Sequence, residues 1–110
     1  MRWTDDQVVA VVREVLADLP PASPRPYPIA KPDLLPGGGY GPHRRWASRK
    51  LIWEITGGWC AYCAAALDSK FEVEHVVPRC LGGPDRKINM LPSCYPCNVQ
   101  KGRKLPRRAD

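Results

Sequence analysis

The stretch from Phe71 to Lys104, FEVEHVVPRCLGGPDRKINMLPSCYPCNVQKGRK, decides how this chain is read. Phe71, Val73 and His75 alternate with Glu72 and Glu74, the two-residue period of a strand, and Pro78 closes it. Pro78 to Lys87 forms a loop rich in glycine and proline, and Asn89-Met90-Leu91 reads as a short second strand. Pro96, a favoured residue in a first helical turn, opens a helix that runs to about Lys104. Two kinds of metal chemistry interleave in this stretch. Its cysteines suit a soft, structural ion, while Glu74, His75, Asn89 and Asn98 suit a hard one.

Cys94-x-x-Cys97 has a counterpart upstream in Cys60-x-x-Cys63. Two cysteines in such a pair place both sulfurs on one side of a tight turn, and two turns complete a tetrahedron around zinc at ~2.3 Å per bond. The intervening residues, 64 to 93, exceed the spacer of a simple zinc ribbon and leave room for two strands and a loop. Unmetallated thiols are the bland alternative. A redox C-x-x-C is a poorer one, because no βαβ unit surrounds either pair. Zinc held this way supplies folding free energy and no chemistry. Cys80, the fifth cysteine, lies in the loop and reads as a bystander.

Taken together, these residues resemble the HNH endonucleases, nucleases built on a ββα-metal (His-Me) finger. The resemblance spans roughly Arg44 to Lys104. It rests on Glu74-His75 at the strand end, Asn89, and Asn98 on the last helix. It also rests on Pro78, the Gly82-Gly83 turn, the Asn89-Met90-Leu91 run, and the C-x-x-C-N-x-x-K-G ending from Cys94 to Gly102. Glu74 stands where Asp is usual in that family. The resemblance implies a small α+β fold: a ββα-metal core stapled by the four-cysteine zinc site, with an N-terminal helix and a Pro-rich arm attached. It further implies hydrolysis of DNA phosphodiester bonds to 5′-phosphate and 3′-hydroxyl ends.

The residue types fit that chemistry. A neutral imidazole near pH 7 suits activation of water, which assigns His75 as general base. The Asn89 side-chain carbonyl can accept the proton on His75 Nδ1, leaving Nε2 to take a proton from water. Glu74 and Asn98 are oxygen donors for magnesium or manganese, with water and the scissile phosphate completing the shell. Neighbours on an ideal strand point to opposite faces, yet Glu74 and His75 must address one phosphate. Pro78 and the loop beyond suggest an ending strand where a bend brings them together, as the resemblance implies. Any one of these residues alone has an ordinary structural reading. Their joint spacing with both knuckles carries the assignment.

The formal charge is +6, and it stays positive with zinc on four thiolates. The basic residues cluster as Arg44, Arg45, Arg49 and Lys50, then Arg79, Arg86 and Lys87, then Lys101, Arg103, Lys104, Arg107 and Arg108. A polyanion is the simple partner. Arg79, Arg86, Lys87, Lys101, Arg103 and Lys104 are the candidate phosphate contacts, which position nucleic acid without reading sequence. Double-stranded DNA is the expected substrate.

Outward from this core, four segments are expected: a helix in 1–19, a linker in 20–42, the nuclease domain in 43–106 and a basic tail in 107–110. Thr4-Asp5-Asp6-Gln7 reads as a capping box and Val8, Val12, Val15, Leu16 and Leu19 follow helical spacing, giving a helix from about Asp5 to Asp18. Its apolar stripe packs either on the nuclease domain or on a protein partner. Pro20, Pro21, Pro24, Pro26, Pro28, Pro32, Pro36 and Pro42 make the next segment an extended spacer or a docking arm. A further helix is expected from His43 to about Thr56, with Trp46, Ile52, Trp53 and Ile55 on one face and Gly57-Gly58 ending it.

The chain's 110 residues suffice for one small domain that needs a staple. Five cysteines, an odd number, argue against a complete disulfide framework. MRWTDDQVV lacks the pattern of a signal peptide and no stretch reaches the length of a membrane span. These features point to the cytoplasm of a bacterial or phage-infected cell, where paired cysteines favour metal. Two other functions fit the same features. One is a non-catalytic zinc-finger module that binds nucleic acid, or a phage or mobile-element accessory protein. The other is an adaptor working through the N-terminal helix and Pro-rich arm.

Overall fold

A computed structural model describes residues 2–28 and 49–106. These described residues form a small α+β structure with three α-helices and one two-stranded sheet. Helix α1 spans Asp5–Leu16. Its capping box forms as expected: Gln7 N–H donates to Thr4 Oγ1 at 3.2 Å, and Thr4 N–H donates to Gln7 Oε1 at 2.9 Å. The helix stops two residues short of Asp18, in turns that lead into Pro20. Val8 is fully buried, and Val11, Val12, Val15 and Leu16 pack on a cluster of Ala61, Val76 and Leu91. The stripe of α1 therefore closes the core above the sheet.

Helix α2 is described over residues 49–55. The expected start at His43, with Arg44, Arg45 and Trp46, lies outside the described residues. Ile52, Trp53 and Thr56 point inward, whereas Leu51 and Ile55 are about half exposed. Ile55 thus does not share the buried face expected of it. Positions 52, 53 and 56 form one stripe of the helix, and positions 51 and 55 form the next. Gly57 and Gly58 end the helix at φ +67° and +95°, values that favour glycine.

The first part of the Pro-rich arm, residues 20–28, is packed rather than a free spacer. Ser23 N–H donates to the Gly57 carbonyl at 2.8 Å, and Trp59 Nε1 donates to the Pro21 carbonyl at 2.8 Å. Tyr27 meets Trp53 edge-on, with ring centres 5.5 Å apart, and reaches Phe71 as well. These rings cover a second cluster built from Trp53, Cys60, Leu67 and Phe71. Arg49 lies over the Phe71 ring at 4.1 Å and donates to its carbonyl at 3.0 Å. That contact ties Arg49 to the start of the first strand.

Strand β1 (Glu72–His75) pairs antiparallel with β2 (Met90–Ser93), placing Glu74 opposite Leu91 and His75 opposite Met90. Between them run 3-10 turns at Arg79–Leu81 and Lys87–Asn89. The second strand lies one residue later than expected at its start, because Asn89 completes the second turn, and it continues through Pro92. A proline is tolerated there because each strand of a two-stranded sheet is an edge; the Pro92 carbonyl accepts from Ala61 N–H at 3.0 Å. Helix α3 spans Tyr95–Lys101 and packs against β1. It ends at Gly102 (φ +51°), so Arg103 and Lys104 lie beyond it rather than on it.

Candidate active site and metal centre

The two knuckles meet. The sulfurs of Cys60, Cys63, Cys94 and Cys97 all lie within 4.8 Å of one another. Cys63 and Cys94 are 3.7 Å apart, matching the ~3.8 Å edge of a tetrahedron with ~2.3 Å metal–sulfur bonds. Cys60 is buried, and its sulfur accepts from the N–H groups of Tyr62 and Cys94, each at 3.4 Å. Burial opposes its ionisation, but these backbone donors prevail and hold the thiol below its usual range. Burial and the neighbouring thiols push Cys97 the other way. Four sulfurs this close together fit a zinc site. Cys80 is exposed and stands apart from this group, as expected.

A cleft of about 570 Å³ opens between β1 and α3. Glu74, His75 and Asn98 all line it, together with Arg79, Cys80 and Arg103. The two strand neighbours do point in opposite directions, Glu74 toward Lys101 of α3 and His75 toward Asp85 of the loop. The cleft reaches both because β1 ends at His75 and the turn at Arg79–Leu81 forms its wall.

Glu74 is the most constrained of the three. Its Oε1 accepts from the Tyr62 hydroxyl at 3.1 Å and pairs with Lys101 Nζ at 2.9 Å, while its Oε2 is buried without a partner. Burial raises its pKa, and Lys101 and Tyr62 only partly offset that. Burial and the adjacent carboxylate push the Tyr62 phenol far up, so it stays a proton donor. Lys101 is itself buried at its tip and also donates to the His75 carbonyl at 3.0 Å. Its ammonium is thus engaged inside the protein, between Glu74 and the His75 carbonyl.

Asn89 is fully buried, and its amide serves the backbone. Oδ1 accepts from Val77 N–H at 2.8 Å; Nδ2 donates to the carbonyls of Val77 and Pro84, each at 2.9 Å. The expected bond from Asn89 to His75 Nδ1 is therefore replaced. It is His75 Nε2 that has a side-chain partner, Asp85 Oδ1 at 2.7 Å.

The other candidate phosphate contacts are exposed, and Arg79 and Arg103 flank the cleft. Arg86 pairs with Asp5 of α1. Asp85 and Tyr62 were missed in the sequence. Asp85 sits in a Gly-Pro-Asp run that reads as a turn, and Tyr62 reads as filler inside a knuckle.

Residues 60–110 match the family model of the HNH endonucleases, so the resemblance holds over this segment, which begins after α2. Comparisons with curated proteins and with solved structures found no match. Among the described residues no helix is long and apolar enough to cross a membrane.

Proposed function

We propose, with the HNH endonuclease match over residues 60–110 as premise, that this protein is a metal-dependent endonuclease with a ββα-metal core, cutting phosphodiester bonds in double-stranded DNA. One observation carries the reading: Glu74, His75 and Asn98, far apart in character and drawn from a strand and a helix, border a single cleft flanked by Arg79 and Arg103.

In this reading His75 accepts a proton from the attacking water. With Nε2 facing Asp85, the nitrogen available for that proton is Nδ1. Glu74 and Asn98 would hold magnesium or manganese, and the buried, unpartnered Oε2 of Glu74 is a donor suited to a hard cation. A bound divalent ion would supply charge stabilisation at the phosphoryl oxygens and the leaving oxygen. Asn89 acts on the loop rather than on the imidazole. Arg79 and Arg103 hold the DNA backbone over the cleft, assisted by Lys87 and Lys104. Zinc on the four cysteines has a structural role.

A second reading, a zinc-finger module that binds DNA without cutting it, is favoured by one feature. The buried ammonium of Lys101 already sits 2.9 Å from Glu74 and neutralises it internally. Plasmid nicking with magnesium or manganese separates the two. The enzyme reading expects nicking by the parent protein and none by His75→Ala with equal zinc content. Salt-sensitive DNA binding with no nicking by either protein would establish the second reading.

A further inference from the structure

We infer that Asp85 is a positioning residue for His75. Its carboxylate accepts the Nε2–H hydrogen bond, fixes the ring, and leaves Nδ1 as the nitrogen that takes the proton from water. The inference rests on the nuclease reading for its catalytic consequence, but the contact itself stands on geometry.

The loop that carries Asp85 is built to a tight tolerance. A Cβ on Gly83 would lie 1.9 Å from the Val77 carbonyl oxygen, so only glycine lets the chain fold back this closely. Asn89 then ties the two sides of the loop together, gripping Val77 at its base and the carbonyl of Pro84 next to Asp85. From the other side, Trp3 N–H donates to the Gly82 carbonyl at 3.1 Å, and Arg86 pairs with Asp5 at the start of α1. The tripeptide Pro84-Asp85-Arg86 is thus held from the sheet and from the N-terminal helix. Its placement puts Asp85 Oδ1 2.7 Å from His75 Nε2.

This contact does little for stability. The two side chains are 28% and 56% exposed, and ion pairs this open to solvent contribute little. Its effect is on orientation. A neutral imidazole carries one N–H, and an acceptor on one nitrogen leaves the other as the base. Asn89 acts one step further out, since it positions the loop that presents Asp85.

The test uses the full-length, zinc-loaded protein as the parent chain, Asp85→Ala and Asp85→Asn. Imidazole nitrogen and proton resonances of His75 are recorded without added magnesium, and plasmid nicking is measured with it. The parent is expected to show a hydrogen-bonded Nε2–H proton and an unprotonated Nδ1. Asp85→Ala is expected to lose that proton signal to solvent exchange, with kcat about tenfold lower and KM for DNA unchanged. Asp85→Asn, whose amide oxygen still accepts the bond, is expected to retain the signal and an intermediate rate. A signal equally protected in Asp85→Ala, or a parent protonated on Nδ1, overturns the inference. So does an unchanged kcat once the signal is lost. A signal lost in Asp85→Ala from a parent that never nicks DNA upholds the contact and sinks the nuclease reading instead.

Discussion

The Tyr62 hydroxyl donates to Glu74 Oε1 at 3.1 Å, so the first zinc knuckle and the strand of the cleft share a hydrogen bond. Tyr62 lies between Cys60 and Cys63, and its own N–H donates to the Cys60 sulfur. One residue therefore couples the geometry of the metal centre to the orientation of the buried carboxylate. Tyr62→Phe removes the hydroxyl and keeps the ring. It is expected to retain zinc, to lose about 1 kcal/mol of stability, and to need several-fold more magnesium or manganese for half-maximal nicking. Metal titration of the nicking rate beside a zinc assay checks this. An unchanged titration would show that Tyr62 does not orient Glu74.

The basic residues divide into two classes that a charge count merges. Lys101 has a buried tip between Glu74 and the His75 carbonyl, whereas Arg103 is exposed at the cleft. Removing one member of a buried ion pair leaves the other uncompensated and costs about 3–5 kcal/mol. Lys101→Met is therefore expected to lower the unfolding midpoint strongly. Arg103→Ala is expected to leave the midpoint in place, weaken DNA binding, and reduce the slope of log affinity against log salt by about 1. Thermal unfolding and binding at several salt concentrations distinguish them, and equal unfolding midpoints for the two variants would refute the division.

The loop between the strands depends on two residues of different kinds. Asn89→Ala would leave the N–H and carbonyl of Val77 and the carbonyl of Pro84 without their side-chain partner. An unsatisfied buried group costs about 1–3 kcal/mol, so the loss is expected to reach several kcal/mol. Gly83→Ala meets a backbone oxygen rather than a movable side chain, and overpacking of this kind costs about 1–3 kcal/mol or more. Both variants are expected to expose the loop, read as faster amide exchange across residues 78–89 than across α3. Uniform exchange rates in both variants would contradict this picture of the loop.

Local chemistry was legible in the sequence, and long-range partnership was not. The Thr4–Gln7 capping box, the glycines ending α2 and the cysteine pairs each depend on neighbours a few residues apart, and each appears as expected. The valines of α1 announce an apolar face but not its partner, which proves to be Ala61, Val76 and Leu91. Asn89 could be recognised as important, but its partners depend on a loop whose closure is decided at Gly83. Lys101 could be counted as a charge, but its direction is set by the docking of α3 on β1. The grouping of Glu74, His75 and Asn98 around one cleft was expected from resemblance alone, since strand alternation taken by itself argues against it.

The four-cysteine cluster, read as a zinc site, ties together the core and the last helix. Cys60 belongs to the cluster with Trp53, Leu67 and Phe71, and Cys94 is the residue from which α3 starts. Losing the ion would therefore loosen one core cluster and release the helix that carries Asn98 and Lys101. Binding free energy at such a site is folding free energy. A chelator, or Cys94→Ser, is expected to abolish the cooperative unfolding transition and all DNA binding together. Cys80→Ser, at an exposed position outside the cluster, is expected to change neither. Zinc stoichiometry, circular dichroism through a thermal ramp, and DNA binding on the same three samples make the test. A folded, cooperative Cys94→Ser protein would show that packing of α1, α2 and the sheet suffices without the metal.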